Sequence, residues 1–248
     1  TPLVRDALLP LTESLLTPSK NGVLILKDEH VETFVPPVEG LMLDATGTIQ
    51  QIVEGFAAGS SSIPIVLVRE QPFVAGDAAR LGIREVLGVG RSNFAGSPTN
   101  RRKNIAYGAR KVNGSLIAPG EEFSLLKTLG KVNGENGWLP ELVIKGNKTT
   151  PEFGGGLCQI GTTTFRMTLA SGMPVTERRN HSYRVRYYEP AGTDATIYEP
   201  SPDYRFKNDT EHWVLLTAEV RKNDLAFTLW GTRDGRKAEQ IGPKIFNI

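Results

Sequence analysis

Residues 152–170 read Glu152-Phe153-Gly154-Gly155-Gly156-Leu157-Cys158-Gln159-Ile160-Gly161-Thr162-Thr163-Thr164-Phe165-Arg166-Met167-Thr168-Leu169-Ala170. Three consecutive glycines permit positive φ and a close backbone approach with no side chain in the way. Beyond them Leu157, Ile160, Thr164, Phe165 and Thr168 recur at helical spacing, and Gly172 supplies a stop. The pattern predicts a buried helix with Cys158 in its first turn. Free N–H groups and the positive dipole end of such a helix stabilise a thiolate and lower the thiol pKa. The same backbone, around Gly155, Gly156 and Gln159, is suited to hold the oxyanion of a tetrahedral intermediate. A second reading stands beside this one. Free cysteine is among the most buried residue types, so Cys158 also reads as an inert thiol behind a tight turn.

A nucleophilic thiol needs a base. His181, in Glu177-Arg178-Arg179-Asn180-His181-Ser182-Tyr183, follows the helix by about ten residues, on what reads as a returning strand. Asp194 lies on the next strand-like segment, as the residue that orients the imidazole or as a simple turn residue. Cys, then His, then Asp is the chain order of papain-like and transglutaminase-like sites, an analogy of order alone. His30 and His212 are expected at the surface. Arg178, Arg179, Arg184 and Arg186 flank His181, and Arg101-Arg102-Lys103 opens a helix. These clusters read as solvated faces or as clamps for substrate carboxylates, for which the planar guanidinium is suited. In the second case their field favours the thiolate. Arg101, Arg179, Ser182 and Tyr183 are therefore candidate substrate contacts.

Composition narrows the classes. The chain has 248 residues, 39% hydrophobic and 23% charged, with a formal net charge of +2. That is enough for one large domain or two ordinary ones, and 26 glycines with 16 prolines fall short of low complexity. A single cysteine excludes an intrachain disulfide and a zinc site built on several thiolates. Three scattered histidines, none in an H-x-x-x-H pair, argue against a His-rich metal site, and no metal or organic cofactor is expected. The near-zero charge gives no reason to expect a nucleic acid as partner. The longest apolar runs, 23–26 and 65–68, are far short of the roughly 20 residues that cross a membrane. The chain opens Thr1-Pro2 with no initiator Met, which reads as a trimmed chain, so any membrane anchor is expected outside it.

Periodicity predicts an α+β fold in two domains, 1–81 and 82–248. The first begins with a Leu-rich helix over 3–16, interrupted at Pro10, then a turn at Asn21-Gly22 and extended runs at 23–26 and 30–34. Ile49, Ile52, Val53 and Phe56 form one face of an amphipathic helix over 46–58, and 63–68 reads as a buried strand. A short helical stretch at 75–80 leads to the boundary near Leu81-Gly82. The second domain has a strand over 83–94 and a helix over 98–112 with Ile105, Ala106, Ala109 and Val112 inward. Asn113-Gly114 serves equally as a C-cap or a hairpin turn. Short β-rich runs follow at 181–188, 194–198, 203–207, 212–221 and 224–231.

Seven ordered motifs carry a family resemblance. They are Leu81-Gly82-Ile83; Asn100-Arg101 with Asn104-Ile105; Asn113-Gly114 with Pro119-Gly120-Glu121-Glu122-Phe123-Ser124; Gly154-Gly155-Gly156-Leu157-Cys158-Gln159; Glu177-Arg178 with His181-Ser182-Tyr183; Asp194-Ala195-Thr196; and Phe206-Lys207-Asn208. On these motifs, residues 82 to about 230 resemble a VanW domain. Residues 1–81 more loosely resemble the peptidoglycan-binding module that commonly precedes such domains. The resemblance implies a bacterial, extracytoplasmic, cell-wall protein from a family named for glycopeptide-resistance clusters. Some members are regarded as L,D-transpeptidases that use the Cys of this Gly-Gly-Gly-x-Cys-Gln motif to make 3-3 cross-links between stem peptides. Carried over, Cys158 is the nucleophile, His181 the base and Asp194 its orienting partner, with peptidoglycan stem peptides as substrate. Two alternatives remain open: a non-catalytic peptidoglycan-binding or surface-assembly protein, and a Cys-dependent peptidase or amidase.

Overall fold

A computed structural model describes residues 10, 15–27, 30–145 and 148–241. By packing, the chain divides into two units, Thr1–Ala79 and Arg80–Ile248. The first contains β1 (Gly22–Lys27), β2 (His30–Val35), β3 (Gly40–Leu43), α1 (Ala45–Ala57), β4 (Leu67–Glu70) and β5 (Val74–Gly76). β1 pairs antiparallel with β2 and parallel with β5, and β3 pairs antiparallel with β4. Asp44 caps α1 by accepting from the Gly47 N–H at 3.0 Å. The helix expected over 3–16 lies largely outside the described residues.

Two expectations for this unit are corrected. The strand read over 63–68 begins only at Leu67, because Pro64 removes a ladder donor from the run, and Val68 stays 44% exposed on a two-stranded sheet. The apolar face of α1 is not buried either: Val53 is 63% and Phe56 75% exposed. Periodicity reported the helix but not what covers it.

A short helix, α2 (Asp77–Leu81), spans the division. The second unit then runs β6 (Glu85–Asn93), α3 (Thr99–Val112), β7 (Ser115–Ile117), β8 (Glu122–Ser124), α4 (Leu125–Leu129), β9 (Pro140–Lys145), β10 (Lys148–Phe153), α5 (Leu157–Ser171), β11 (Val175–Glu177), a 3-10 turn (Arg186–Tyr188), β12 (Arg205–Lys207), β13 (Val214–Arg221) and β14 (Asp224–Gly231). An antiparallel sheet of order β6-β14-β13-β7 carries the core, beside a smaller sheet β11-β12-β8 and the hairpin β9–β10. Leu225, Phe227 and Leu229 alternate inward along β14, the period-2 signature of a half-buried strand. Asn113 proves to be the C-cap of α3, its N–H bonded to the Ala109 carbonyl, and Gly114 then enters β7. No described helix is long and apolar enough to cross a membrane. Mixed helix and antiparallel sheet make this an α+β architecture.

Helix α5 is seated on β6 at unusually short range. The inward positions of β6 are Gly88, Gly90 and Ser92. A Cβ at Gly88 would stand 2.5 Å from the Ser171 nitrogen, and one at Gly90 only 2.1 Å from the Thr163 carbonyl oxygen. At the next inward position the Ser92 and Thr163 hydroxyls meet at 2.5 Å. Facing α3 contributes Ile105, fully buried, and Gly108, whose missing Cβ leaves room for Ile160. α5 is therefore buried on nearly every face although it is rich in threonine. Its hydroxyls are satisfied locally: Thr163, Thr164 and Thr168 donate to the carbonyls of Gln159, Ile160 and Thr164.

Two further β readings, 181–188 and 194–198, are corrected. Among the described residues neither forms a ladder strand; 186–188 is the 3-10 turn, and 194–198 belongs to no sheet. The close seating of α5 makes a direct prediction. Gly90→Ala should destabilise the protein by about 1–3 kcal/mol, the range for overpacking a core, measured by urea denaturation. A variant as stable as the wild type would contradict the contact.

Candidate active site

The glycine run turns β10 into α5. Gly156 caps the helix at φ 111°, a conformation that L side chains rarely adopt, and a Cβ there would also meet Ile105 at 2.9 Å. Asn104 of α3, almost fully buried, brackets the hairpin that leads in. Its Nδ2 donates to the carbonyls of Leu139 at 2.9 Å and Gly155 at 3.0 Å, and its Oδ1 accepts from the Leu139 N–H at 2.9 Å. The entry and exit of the β9–β10 hairpin are thereby tied to one side chain. Within the first turn, the Leu157 and Gln159 N–H groups donate to the carbonyls of Gly154 and Gly156 at 3.1 and 3.0 Å. The Gln159 N–H, one of the groups expected to face an oxyanion, thus bonds the Gly156 carbonyl within the turn.

Cys158 is the second residue of α5 and begins a polar stripe at every fourth residue. Its Sγ–H donates to the Ile197 carbonyl at 3.6 Å. Thr162 Oγ1 donates to the Ala195 carbonyl at 3.3 Å and accepts from the Ala195 N–H at 3.1 Å. Arg166 Nε donates to the Thr193 carbonyl at 3.3 Å. Helix positions 158, 162 and 166 thus match strip positions 197, 195 and 193 in antiparallel order. The match is metric: four helical residues rise about 6 Å and two extended residues span about 6.6 Å. Side chains of α5 hold one edge of the segment 193–197.

Asp194 lies on this strip, and the segment 178–181 follows its other edge. Asp194 Oδ2 accepts from the His181 backbone N–H at 2.8 Å and stands 2.6 Å from His181 Nδ1. Arg178 donates from Nε to the Asp194 carbonyl at 2.8 Å and from Nη2 to Oδ1 at 3.2 Å. Burial pushes the Asp194 pKa up, but the His181 backbone and ring hydrogen bonds and the nearby positive charge outweigh it, leaving the carboxyl below its ordinary value. An ionised carboxylate only accepts, so Nδ1 carries a proton toward Asp194 and Nε2 is the ring nitrogen turned away from it. Tyr188, buried in the 3-10 turn, stacks against the imidazole with ring centroids 5.3 Å apart.

Cys158 is half-buried as a residue, and its thiol pKa is raised. Loss of hydration is the main cause and the Asp194 charge adds to it; the backbone around Ile197 and the Arg101 guanidinium pull the other way without prevailing. The thiol pKa thus lies on the other side from the expected lowering, because desolvation exceeds the pull of the backbone hydrogen bonds and of Arg101. In the resting protein the thiol is protonated and bonded to a carbonyl.

Arg101 donates from Nη2 to Gln159 Oε1 at 2.8 Å and to the Tyr188 hydroxyl at 3.4 Å, bonds Ser97, and lies 5.3 Å over the Tyr187 ring. The Gln159 side chain is fully buried, with Nε2 donating to the Asn93 carbonyl. Arg178, rather than Arg179, reaches the carboxylate; Arg179 is exposed and supplies only its carbonyl to the Thr196 N–H at 2.7 Å. Ser182 and Tyr183 are exposed beside His181. His212 packs against Gly82, at the start of β13, and the side chain of His30 lies outside the description. Sequence reasoning missed Tyr188, Arg166 and the bracketing role of Asn104. The spacing 158, 162, 166 was the available signal for the stripe. Among the described residues no three His, Cys, Asp or Glu side chains gather so as to hold a metal ion.

Comparison with known proteins agrees with the motifs. The family described as VanW like protein matches residues 100–230. Relatives include the uncharacterized protein YoaR of Bacillus subtilis (strain 168), 26% identical over 177 residues, 71% of this chain and 58% of the relative. Another is the vancomycin B-type resistance protein VanW of Enterococcus faecalis (strain ATCC 700802 / V583), 31% identical over 129 residues, 48% of this chain and 46% of the relative. The chain spans about half the length of the curated relatives it matches. No solved structure matches.

Two measurements check the electrostatics. The pH midpoint of Cys158 alkylation by iodoacetamide should lie above that of an ordinary cysteine, about 8.5; a midpoint below it would show a stabilised thiolate instead. Because the folded pKa of Asp194 is depressed, its stabilisation is present above the unfolded value near 3.9 and is lost as pH falls through the folded value. Asp194→Asn should therefore be less stable than wild type by about 1–3 kcal/mol at pH 7. The gap should close below about pH 3.9. A pH-independent gap in urea denaturation would mean that the ionised carboxylate is not its source.

Proposed function

The chain belongs to the VanW like family, whose match covers more than half of it, and from that premise we propose a cysteine acyltransferase of the bacterial cell wall. The reaction is L,D-transpeptidation between peptidoglycan stem peptides, carried out on the extracytoplasmic side. The name of the enterococcal relative supports a link to vancomycin resistance. The first unit serves as a peptidoglycan-binding module.

One observation carries this reading. His181 is held by Asp194 at 2.6 Å, and Asp194 lies on the segment that the α5 stripe beginning with Cys158 also holds. A protonated thiol needs a base at the moment of attack rather than a resting ion pair. Sγ attacks the carbonyl carbon of the third residue in a donor tetrapeptide, and the thiol proton passes to His181 Nε2. The tetrahedral intermediate expels the amine of the terminal D-Ala, which takes that proton, and leaves a thioester. An acceptor side-chain amine then attacks the thioester, forming the 3-3 amide bond and restoring the thiol. Asp194 stabilises the imidazolium in both steps, and Arg101, whose field reaches the thiol, favours the developing negative charge. Arg179, Ser182 and Tyr183 form the exposed rim toward substrate. Water in place of the acceptor gives a carboxypeptidase.

A second reading, a non-catalytic peptidoglycan-binding protein, is favoured by the raised thiol pKa and the bond from Sγ to Ile197. Incubation with disaccharide-tetrapeptide separates the two. Wild type should yield a cross-linked dimer with loss of D-Ala by mass spectrometry, and Cys158→Ala none. Identical products from both proteins would refute the catalytic reading. His181→Ala should lower turnover by at least about 100-fold, the lower end of general-base contributions, whereas His212→Ala should leave it unchanged.

A further inference from the structure

Between α3 and the loop that leads into β9 opens a cleft of about 310 Å³. Lys103, Ala106, Tyr107 and Arg110 line it from α3, and Leu139 from the loop. Asn104 lines it as well, the side chain whose Nδ2 holds the Gly155 carbonyl in the glycine run. The walls are fixed in place. The Tyr107 hydroxyl donates to the Asn136 carbonyl at 2.7 Å, and its ring stands edge-on to buried Trp138 with centroids 5.0 Å apart. The Arg110 guanidinium lies over the same ring at 5.6 Å.

The cleft leaves only cations to a ligand. Both polar atoms of the Asn104 side chain are bonded to Leu139 and Gly155, and the Tyr107 hydroxyl proton is on Asn136. Lys103 and Arg110 have no acidic partner among the described residues. The placement of the cations along α3 is a separate observation. Arg101, Arg102 and Lys103 fall within its first five positions, and the helix contains no acidic residue. The helix dipole disfavours cations at that end and favours anions. Arg101 is engaged by Gln159 and Tyr188, whereas nothing comparable holds Lys103. A local choice that opposes stability in this way marks a functional position.

We propose that this cleft binds a short acidic peptide, with one carboxylate on Lys103, another on Arg110, and the chain between them against Ala106, Tyr107 and Leu139. The two cations stand seven residues apart, about 10 Å along the helix axis. That is too far for a single carboxylate to bridge and equals the span of about three extended residues. The planar fork of Arg110 suits a carboxylate. The identity of the peptide rests on the acyl-transfer reading, on which it is a stem tetrapeptide, with free carboxylates on its γ-linked second residue and at its C-terminus. The donor presents its C-terminal bond to Cys158, so the peptide held here by both carboxylates is the acceptor. The binding itself is separable from the chemistry.

The test uses Cys158→Ala protein, in which binding is measured without turnover. Its ligands are a stem tetrapeptide with lysine as third residue and the same peptide with both carboxylates amidated. Calorimetric titration should show the free carboxylates binding at least about tenfold tighter, the scale of one charge-assisted hydrogen bond. Adding Lys103→Gln and Arg110→Gln should abolish the difference, and each alone should lose part of it. Arg102→Gln, at an exposed position outside the cleft, should preserve it. Equal binding of the two peptides, binding of neither at millimolar concentration, discrimination that survives both substitutions, or an equal loss in the Arg102 variant would overturn the inference. Tighter binding of a glycerol-phosphate oligomer than of the peptide would overturn it too, by giving the cleft to a phosphodiester polymer. Turnover by Cys158-containing protein is scored separately. Discrimination without turnover would leave the cleft assignment and refute acyl transfer; turnover without discrimination would do the reverse.

Discussion

The contact on which the second unit depends is the near-backbone approach of α5 to β6. Two glycines, Gly88 and Gly90, remove the side chains that would hold helix and strand apart, and the Ser92–Thr163 hydroxyl pair closes the third inward position. Such an approach buries the helix almost all round, so every polar group it carries needs a partner within reach. The threonines of the helix meet this locally, by bonding back one turn. On the face away from β6, the stripe Cys158, Thr162, Arg166 meets it by recruiting the strip 193–197. The site therefore follows from satisfying the polar face of a buried helix. Asp194 lies in the middle of that strip, and His181 is held by Asp194.

The same burial sets the chemistry of the thiol. A helix N-terminus and a nearby guanidinium both favour a thiolate, but both act on a group that has lost most of its hydration. Desolvation prevails, and a neutral thiol is the resting form. A lone thiol gains from this, because the thiolate is the form that oxidises and exchanges. In the proposed reaction activation falls to the imidazole, which is held by a carboxylate that itself accepts from a backbone N–H and from Arg178. The arrangement resembles a serine-type triad in its logic more than a preformed thiolate–imidazolium pair.

The parts of the structure written in local chemistry were legible in the sequence. Three glycines before a helical pattern located α5 and its cysteine, and the ends of α3, β13 and β14 fell within a few residues of where periodicity and turn residues put them. The pairing of His181 with Asp194 was approached from chain order alone. What could not be read depends on packing across the chain. Gly88 and Gly90 look like weak points of a strand until the helix that fills their space is known. Adjacent arginines 178 and 179 are indistinguishable by composition, and only the path of the backbone decides that Arg178 faces the carboxylate. The segment 193–197 has a strand-like sequence, yet it joins no sheet and is held by α5 side chains on one edge and by 178–181 on the other. In the first unit, the exposed face of α1 marks the limit of amphipathic periodicity, which reports a helix but not its cover.

Cys158 is the residue proposed to carry the acyl group, so the intermediate itself is the most direct test. Wild-type protein mixed briefly with disaccharide-tetrapeptide and quenched in acid can be weighed intact and its adduct mapped by peptide mass spectrometry. The predicted result is a mass increase equal to the donor less one D-Ala, on Cys158, present in the wild type and absent from His181→Ala. An adduct on another residue, or none in the wild type while the unreacted donor is consumed, would contradict it.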